Sequence, residues 1–167
     1  LSAEFRLKVG GSEIVLQRPV EHRYVDRVYG ELTRPLAVVP PVALEFGGLP
    51  LVFTDNKPRR IQVPVKSNAG KVAGEVKLTA PEGWRFTPQS QHFDLGGTNE
   101  EAVVNFDLTP PPGASEGTLT AMALVDSQRI AANVRVIDYP HIPAQTLFPP
   151  AESKLVRVEL KNLSRRV

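Results

Sequence analysis

The chain has 167 residues, 41% of them hydrophobic and 23% charged, with 16 Pro, 12 Gly, no Cys and a net charge of +2. That length is enough to bury a core, and the hydrophobic fraction excludes general disorder. The lack of Cys removes disulfides, thiolate metal sites and thiol nucleophiles together, without identifying a compartment. No run of 18 apolar residues is present, so a transmembrane helix is excluded. A net charge of +2 is small for a nucleic-acid-binding domain. It is also unevenly placed: Lys154, Arg157, Lys161, Arg165 and Arg166 against Glu159 give residues 153–167 a charge of +4 and leave −2 on the rest.

Strand signals dominate from the start. Phe5, Leu7 and Val9 alternate with Glu4, Arg6 and Lys8, the period of a half-buried strand. Gly10-Gly11 suits a tight hairpin turn, and Ile14-Val15-Leu16 follows it. Residues 18–34 are polar and show neither helical nor strand periodicity, which predicts an extended surface connector bounded by Pro19 and Pro35. From Leu36 apolar alternation resumes: Val42, Leu44 and Phe46; Leu51 and Phe53; Ile61, Val63 and Val65, with Pro64 on the opposite face suggesting an edge. Val72, Gly74, Val76 and Leu78 form the next stripe, followed by Trp84 and Phe86, Phe93 and Leu95, and then Ala102, Val104, Phe106 and Leu108. Leu119 to Val125 is apolar on both faces, as a central strand is. Asp126-Ser127 closes a hairpin onto Ile130, Ala132, Val134 and Val136. Tyr139 to Pro150 is proline-rich and predicts an extended, polyproline-like path. A last strand is predicted from Val156, Val158 and Leu160.

Seven or eight strands between residues 36 and 138, spaced about 8–12 residues apart and bounded by turns, predict an all-β protein built on an immunoglobulin-like antiparallel β-sandwich. Three regions follow: an N-terminal hairpin and connector (1–35), the sandwich (36–138), and a Pro-rich seam with a C-terminal strand that pairs with the N-terminal hairpin (139–167). Helix content is expected to be very low.

Chemistry is sparse. His22, His92 and His141 lie far apart with no metal-ligand spacing around them, so neither a metal nor a cofactor is expected. No Ser sits in a G-x-S-x-G elbow, and adjacent Glu100 and Glu101 point to opposite faces of a strand. Gly47-Gly48 and Gly96-Gly97 open no helix and cradle no phosphate. The chain is expected not to be an enzyme. Lys57, Arg59 and Arg60 lack the interleaved aromatics of a nucleic-acid surface, so no nucleic acid is expected as a partner. Trp84, after Pro81-Glu82-Gly83, has two readings: an exposed platform for a sugar ring, or a plug for the open end of the sandwich. Arg23, Tyr24, Asp26, Tyr139, His141 and Phe148, with Tyr29 and Arg27, mark the stretches outside the sandwich as candidate docking seams.

The run Asp138-Tyr139-Pro140-His141-Ile142-Pro143, continuing through Leu147-Phe148-Pro149-Pro150, resembles the region after the catalytic domain in large Bacteroidetes-type PIG-L (LmbE-like) N-acetylglucosaminyl deacetylases. Pro19 to Asp26, Arg34 to Val42 and Thr109-Pro110-Pro111-Pro112-Gly113 resemble it too. The portion around Pro81-Glu82-Gly83-Trp84 and Pro88 is similar, more loosely, to immunoglobulin-like domains attached to bacterial α-galactosidases. The PIG-L resemblance implies a multidomain, zinc-dependent parent, periplasmic or extracellular, whose His-Pro-Asp-Asp signature is absent here. It implies a non-catalytic structural module, with neighbouring domains of the same polypeptide as partners. Carbohydrate binding through Trp84 or Tyr139 is the alternative.

Overall fold

The computed structural model describes residues 1–139 and 142–159. The strands, in chain order, are β1 (Ser2–Val9), β2 (Ser12–Pro19), β3 (Glu21–Asp26), β4 (Gly30–Pro35), β5 (Val42–Leu44), β6 (Leu51–Phe53), β7 (Arg59–Ser67), β8 (Val72–Thr79), β9 (Arg85–Thr87), β10 (Ser90–Leu95), β11 (Glu101–Thr109), β12 (Ser115–Val125), β13 (Gln128–Ile130), β14 (Arg135–Tyr139), β15 (Ile142–Leu147) and β16 (Glu152–Arg157). No described residue is helical, as the sequence pattern requires. The chain divides into two compact units: residues 1–39 with 135–147, and residues 40–134 with those from 148 onward.

The second unit is the immunoglobulin-like sandwich. One sheet has the order β10-β8-β12-β16-β6, with β13 also on β12; the other runs β5-β7-β11-β9. Alternation sets the inner faces. On β7, Ile61, Val63, Val65 and Ser67 are buried while Arg60 and Gln62 face out; on β11, Val104, Phe106 and Leu108 are the buried set. Strand β12 is central, with Leu119, Ala121, Ala123 and Val125 buried and the opposite face half-buried. Small side chains there leave room for the larger residues from the facing sheet. Gly74 serves the same packing: a Cβ would lie 2.9 Å from the Phe93 ring and 2.4 Å from the Leu124 carbonyl. Pro64 pairs with Val103, and its carbonyl accepts from Glu45 N–H on the other side. The missing N–H therefore faces the β5 side, just past the end of β5, and costs β11 no hydrogen bond.

The first unit is built of three two-stranded hairpins: β1–β2, β3–β4 and β14–β15. Gly10 and Gly11 have φ of 57° and 84°, the positive values that the tight two-residue turn demands. Inside this unit β4 lies beside β15, and Arg34 meets Asp138 at 3.7 Å. None of its residues whose burial is described is buried.

Several expectations change. The stretch 18–34 is not a connector: Arg18 and Pro19 end β2, and Glu21 to Pro35 form the β3–β4 hairpin. No periodicity marked it because both its faces are largely solvated. The Pro-rich stretch after Asp138 is not polyproline-like throughout, since β15 pairs with β14. Val136 does not continue the sandwich: after β13 the chain stays on it through Ala131, Ala132 and Asn133, which bond to Ala151, Leu44 and Pro149, and leaves it after Val134. The C-terminal strand does not pair with the N-terminal hairpin. Strand β16 fills the sandwich sheet, antiparallel to β12 and parallel to β6, where Leu155 enters the core. That parallel pair also breaks the purely antiparallel pattern. Finally, β16 points Ser153, Leu155 and Arg157 inward rather than Val156 and Val158. Leu160 and the rest of the tail lie outside the described residues.

Candidate functional site

Trp84 sits between β8 and β9 with 6% of its surface exposed. Its amide donates to the Pro81 carbonyl at 3.2 Å, closing the turn. The indole Nε1–H donates to Ser115 Oγ at 3.1 Å, and the ring meets Phe53 edge-on with centroids 5.1 Å apart. A buried indole satisfied in this way presents no face to a sugar. The exposed-platform reading of Trp84 is therefore overturned, and the ring plugs the core. Arg59 covers the other side of the same aromatic pair, its guanidinium carbon 4.3 Å from the Phe53 centroid and its Nη2 donating to the Val52 carbonyl at 2.7 Å.

Arg157 was missed by sequence reasoning. It is 7% exposed, and its guanidinium donates to Asn56 Oδ1 through Nε at 3.2 Å and Nη2 at 2.9 Å, and through Nη1 to the Val158 carbonyl. The signal was an arginine in phase with Ser153 and Leu155, obscured because Val156 offers an apolar stripe in the opposite phase. The guanidinium ties the end of β16 to the turn after β6.

The docking candidates fall in different places. On β3, Tyr24 stacks on His22 with centroids 5.6 Å apart and planes at 12°. Arg23 points to the opposite face, where it pairs with Glu31 across the hairpin at 2.9 Å. Asp26 serves the turn: Oδ1 accepts from Val28 N–H at 2.7 Å and Tyr29 N–H at 2.9 Å. These bonds, that from Tyr29 first, hold its carboxyl below the ordinary value of 3.8. Tyr139 ends β14 in the same unit and is exposed, whereas Phe148 belongs to the sandwich unit. His141 lies outside the described residues. Thus Tyr24 and Asp26 share a face, Arg23 does not, and Phe148 is in a separate unit.

Elsewhere the polar groups are tied up structurally. Glu100 Oε2 accepts from Gly96 N–H, and Glu101 pairs with Lys66 at 3.0 Å, raising the lysine above its ordinary value. Glu75 is lowered by Lys77 first and then Ser90. No three His, Cys, Asp or Glu among the described residues are placed to hold a metal. A cleft of about 360 Å3 in the sandwich unit is lined by Gly48 to Pro50, Glu116 to Thr118 and Glu152 to Lys154. Its Glu116 and Lys154 pair with each other, and Ser153 Oγ donates to the Leu49 carbonyl at 2.6 Å.

What fold and site define is an immunoglobulin-like β-sandwich module carrying a separate set of hairpins. No family model matches the chain, and no curated protein does. The solved structures similar over part of it include the following three. The periplasmic chaperone SfaE is 13% identical with a TM-score of 0.36, over 72% of this chain and 58% of that one. The PapD-like domain 7 (ASH domain) of human CEP192 is 12% identical at 0.40, over 81% of this chain and 99% of that domain. WR4, a C. elegans MSP family member, is 12% identical at 0.33, over 64% and 92%. The chain thus spans little more than half of the SfaE chain. No described helix is long and apolar enough to cross a membrane.

Proposed function

We propose that this chain is a non-catalytic interaction module that positions neighbouring domains of a larger polypeptide, of the PIG-L deacetylase type that the Tyr139–Pro143 run resembles. One observation carries the reading. The sandwich unit buries a full core, while the unit of residues 1–39 and 135–147 has well-formed strands and no buried residue among those whose burial is described. A two-stranded hairpin in water is marginal alone, so three of them without a core are best explained as surfaces completed by a partner. Tyr24, Val25, Val28 and Tyr29 on β3–β4 and its turn are exposed, as is Tyr139, and these side chains supply the apolar and aromatic contact.

Limited proteolysis of the intact parent tests this. Residues 18–35 and 139–147 resist cleavage there and are cut in the isolated chain, whereas 148–152, packed on the sandwich, resist in both. Equal, rapid cutting in both sinks the docking idea. Removal of an N-acetyl group from an amino sugar by the isolated chain would overturn the non-catalytic reading.

A further inference from the structure

The β1–β2 hairpin is amphipathic in a way its neighbours are not. Its register pairs Phe5 with Leu16 and Leu7 with Ile14, which puts Phe5, Leu7, Val9, Ile14 and Leu16 on one face. The other face carries Glu4, Arg6, Lys8, Glu13 and Gln17 around a single apolar residue, Val15, and its charges are knitted together by Arg6–Glu4 at 2.7 Å, Arg6–Glu13 at 4.0 Å and Gln17–Glu4 at 3.4 Å. Solvent is the natural neighbour of the second face and not of the first. The five apolar side chains are nevertheless 38–62% exposed. We propose that this face is a homodimer interface, in which two copies stack their β1–β2 hairpins apolar face to apolar face.

The area and the chemistry select a second copy. With each such side chain offering roughly 150–200 Å2 when fully exposed, the five leave about 450 Å2 of apolar surface per hairpin. Two copies bury about 900 Å2 from these alone, and the rim at Ala3, Ser12 and Arg18 carries the total past the roughly 1,000 Å2 that a specific interface needs. The face bears no charge between Ala3 and Val9 or between Ser12 and Leu16. Self-association therefore brings no like charges together at its centre, while a charged partner finds nothing there to pair with. The product is a small four-stranded sandwich with both polar faces outward, and two marginal hairpins become one packed pair of sheets about 10 Å apart.

Sedimentation equilibrium of the full chain over a wide concentration range is the test, with Leu7→Lys and Ile14→Lys at the central rung. The wild type is expected to be a concentration-dependent dimer, and each variant to weaken it by about 100-fold or more. Val103→Lys, at an exposed position on β11, leaves the dimer intact. Unchanged emission from Trp84 verifies that the sandwich is folded in each variant, and unchanged far-UV circular dichroism verifies that the hairpin strands are. A wild type that stays monomeric, whether its hairpin is bare or covered by another part of the chain, overturns the proposal. So does a dimer indifferent to both substitutions. None of these variants touches β3–β4 or Tyr139, so failure here leaves the docking of neighbouring domains standing, and the reverse holds.

Discussion

At the scale of single residues, Trp84 shows how one side chain joins several elements. It contributes apolar area, an edge-on contact with Phe53 and a hydrogen bond to the first residue of β12. Trp84→Ala removes all three and is expected to lower the unfolding free energy by about 3–5 kcal/mol, read from urea denaturation. Trp84→Phe keeps most of the packing but not the bond to Ser115, and is expected to cost about 1 kcal/mol. Asp26 is a surface counterpart with a pH signature. Its folded-state value is depressed, so the stabilisation of the β3–β4 turn is complete above pH 3.8 and is lost as pH falls through the lower folded-state value. The amides of Val28 and Tyr29 should titrate together in NMR spectra with a midpoint below 3.8. Asp26→Asn should abolish that titration, and a midpoint above 3.8 would contradict the assignment of the turn bonds.

Between neighbouring elements, what could be read from sequence depended on whether burial had written a period into the chain. Strands β7, β8, β11 and β12 each bury one face, so Ile61-x-Val63-x-Val65 and Val104-x-Phe106-x-Leu108 announce themselves. The turn Gly10-Gly11 was equally legible, because it needs positive φ and glycine supplies it, whereas Asp126-Ser127 was marked only by two polar residues between apolar stripes, its positive φ unannounced by serine. Strands β3 and β4 left no pattern, since burial imposes none on a hairpin solvated on both sides. The partner of β16 was also invisible: Ser153 lies 104 residues from Leu49, whose carbonyl it reaches, and no local signal specifies a pairing over that separation. For the same reason the alternative roles of Trp84 stayed open until Ser115 and Phe53 were placed around it. Hydrogen exchange should reproduce this division. Amides of β7, β8, β11 and β12 are expected to exchange only on global unfolding, and those of β3 and β4 orders of magnitude faster. Comparable protection in both sets would show that the hairpins share a cooperative core after all.

At the scale of the whole molecule, the two units differ in the property that makes folding cooperative. Every residue of the buried core cluster belongs to residues 40–134 or 148–159, and the hairpin unit contributes none. Two-state behaviour requires that losing one part remove the stabilisation of the other, and an element absent from the core has little means of exerting that demand. Thermal or urea unfolding should therefore show two transitions. Trp84 is the only tryptophan and lies inside the sandwich, so its fluorescence reports the later transition alone. Far-UV circular dichroism sees the strands of both units and should lose part of its signal first. Self-association through the β1–β2 face adds a second discriminator. Mass action stabilises only the state that binds, so raising the protein concentration should move the early transition upward and leave the Trp84 midpoint where it was. Coincident curves from the two probes would refute the separation of the units, whereas separate curves with an early step insensitive to concentration would count against the dimer alone.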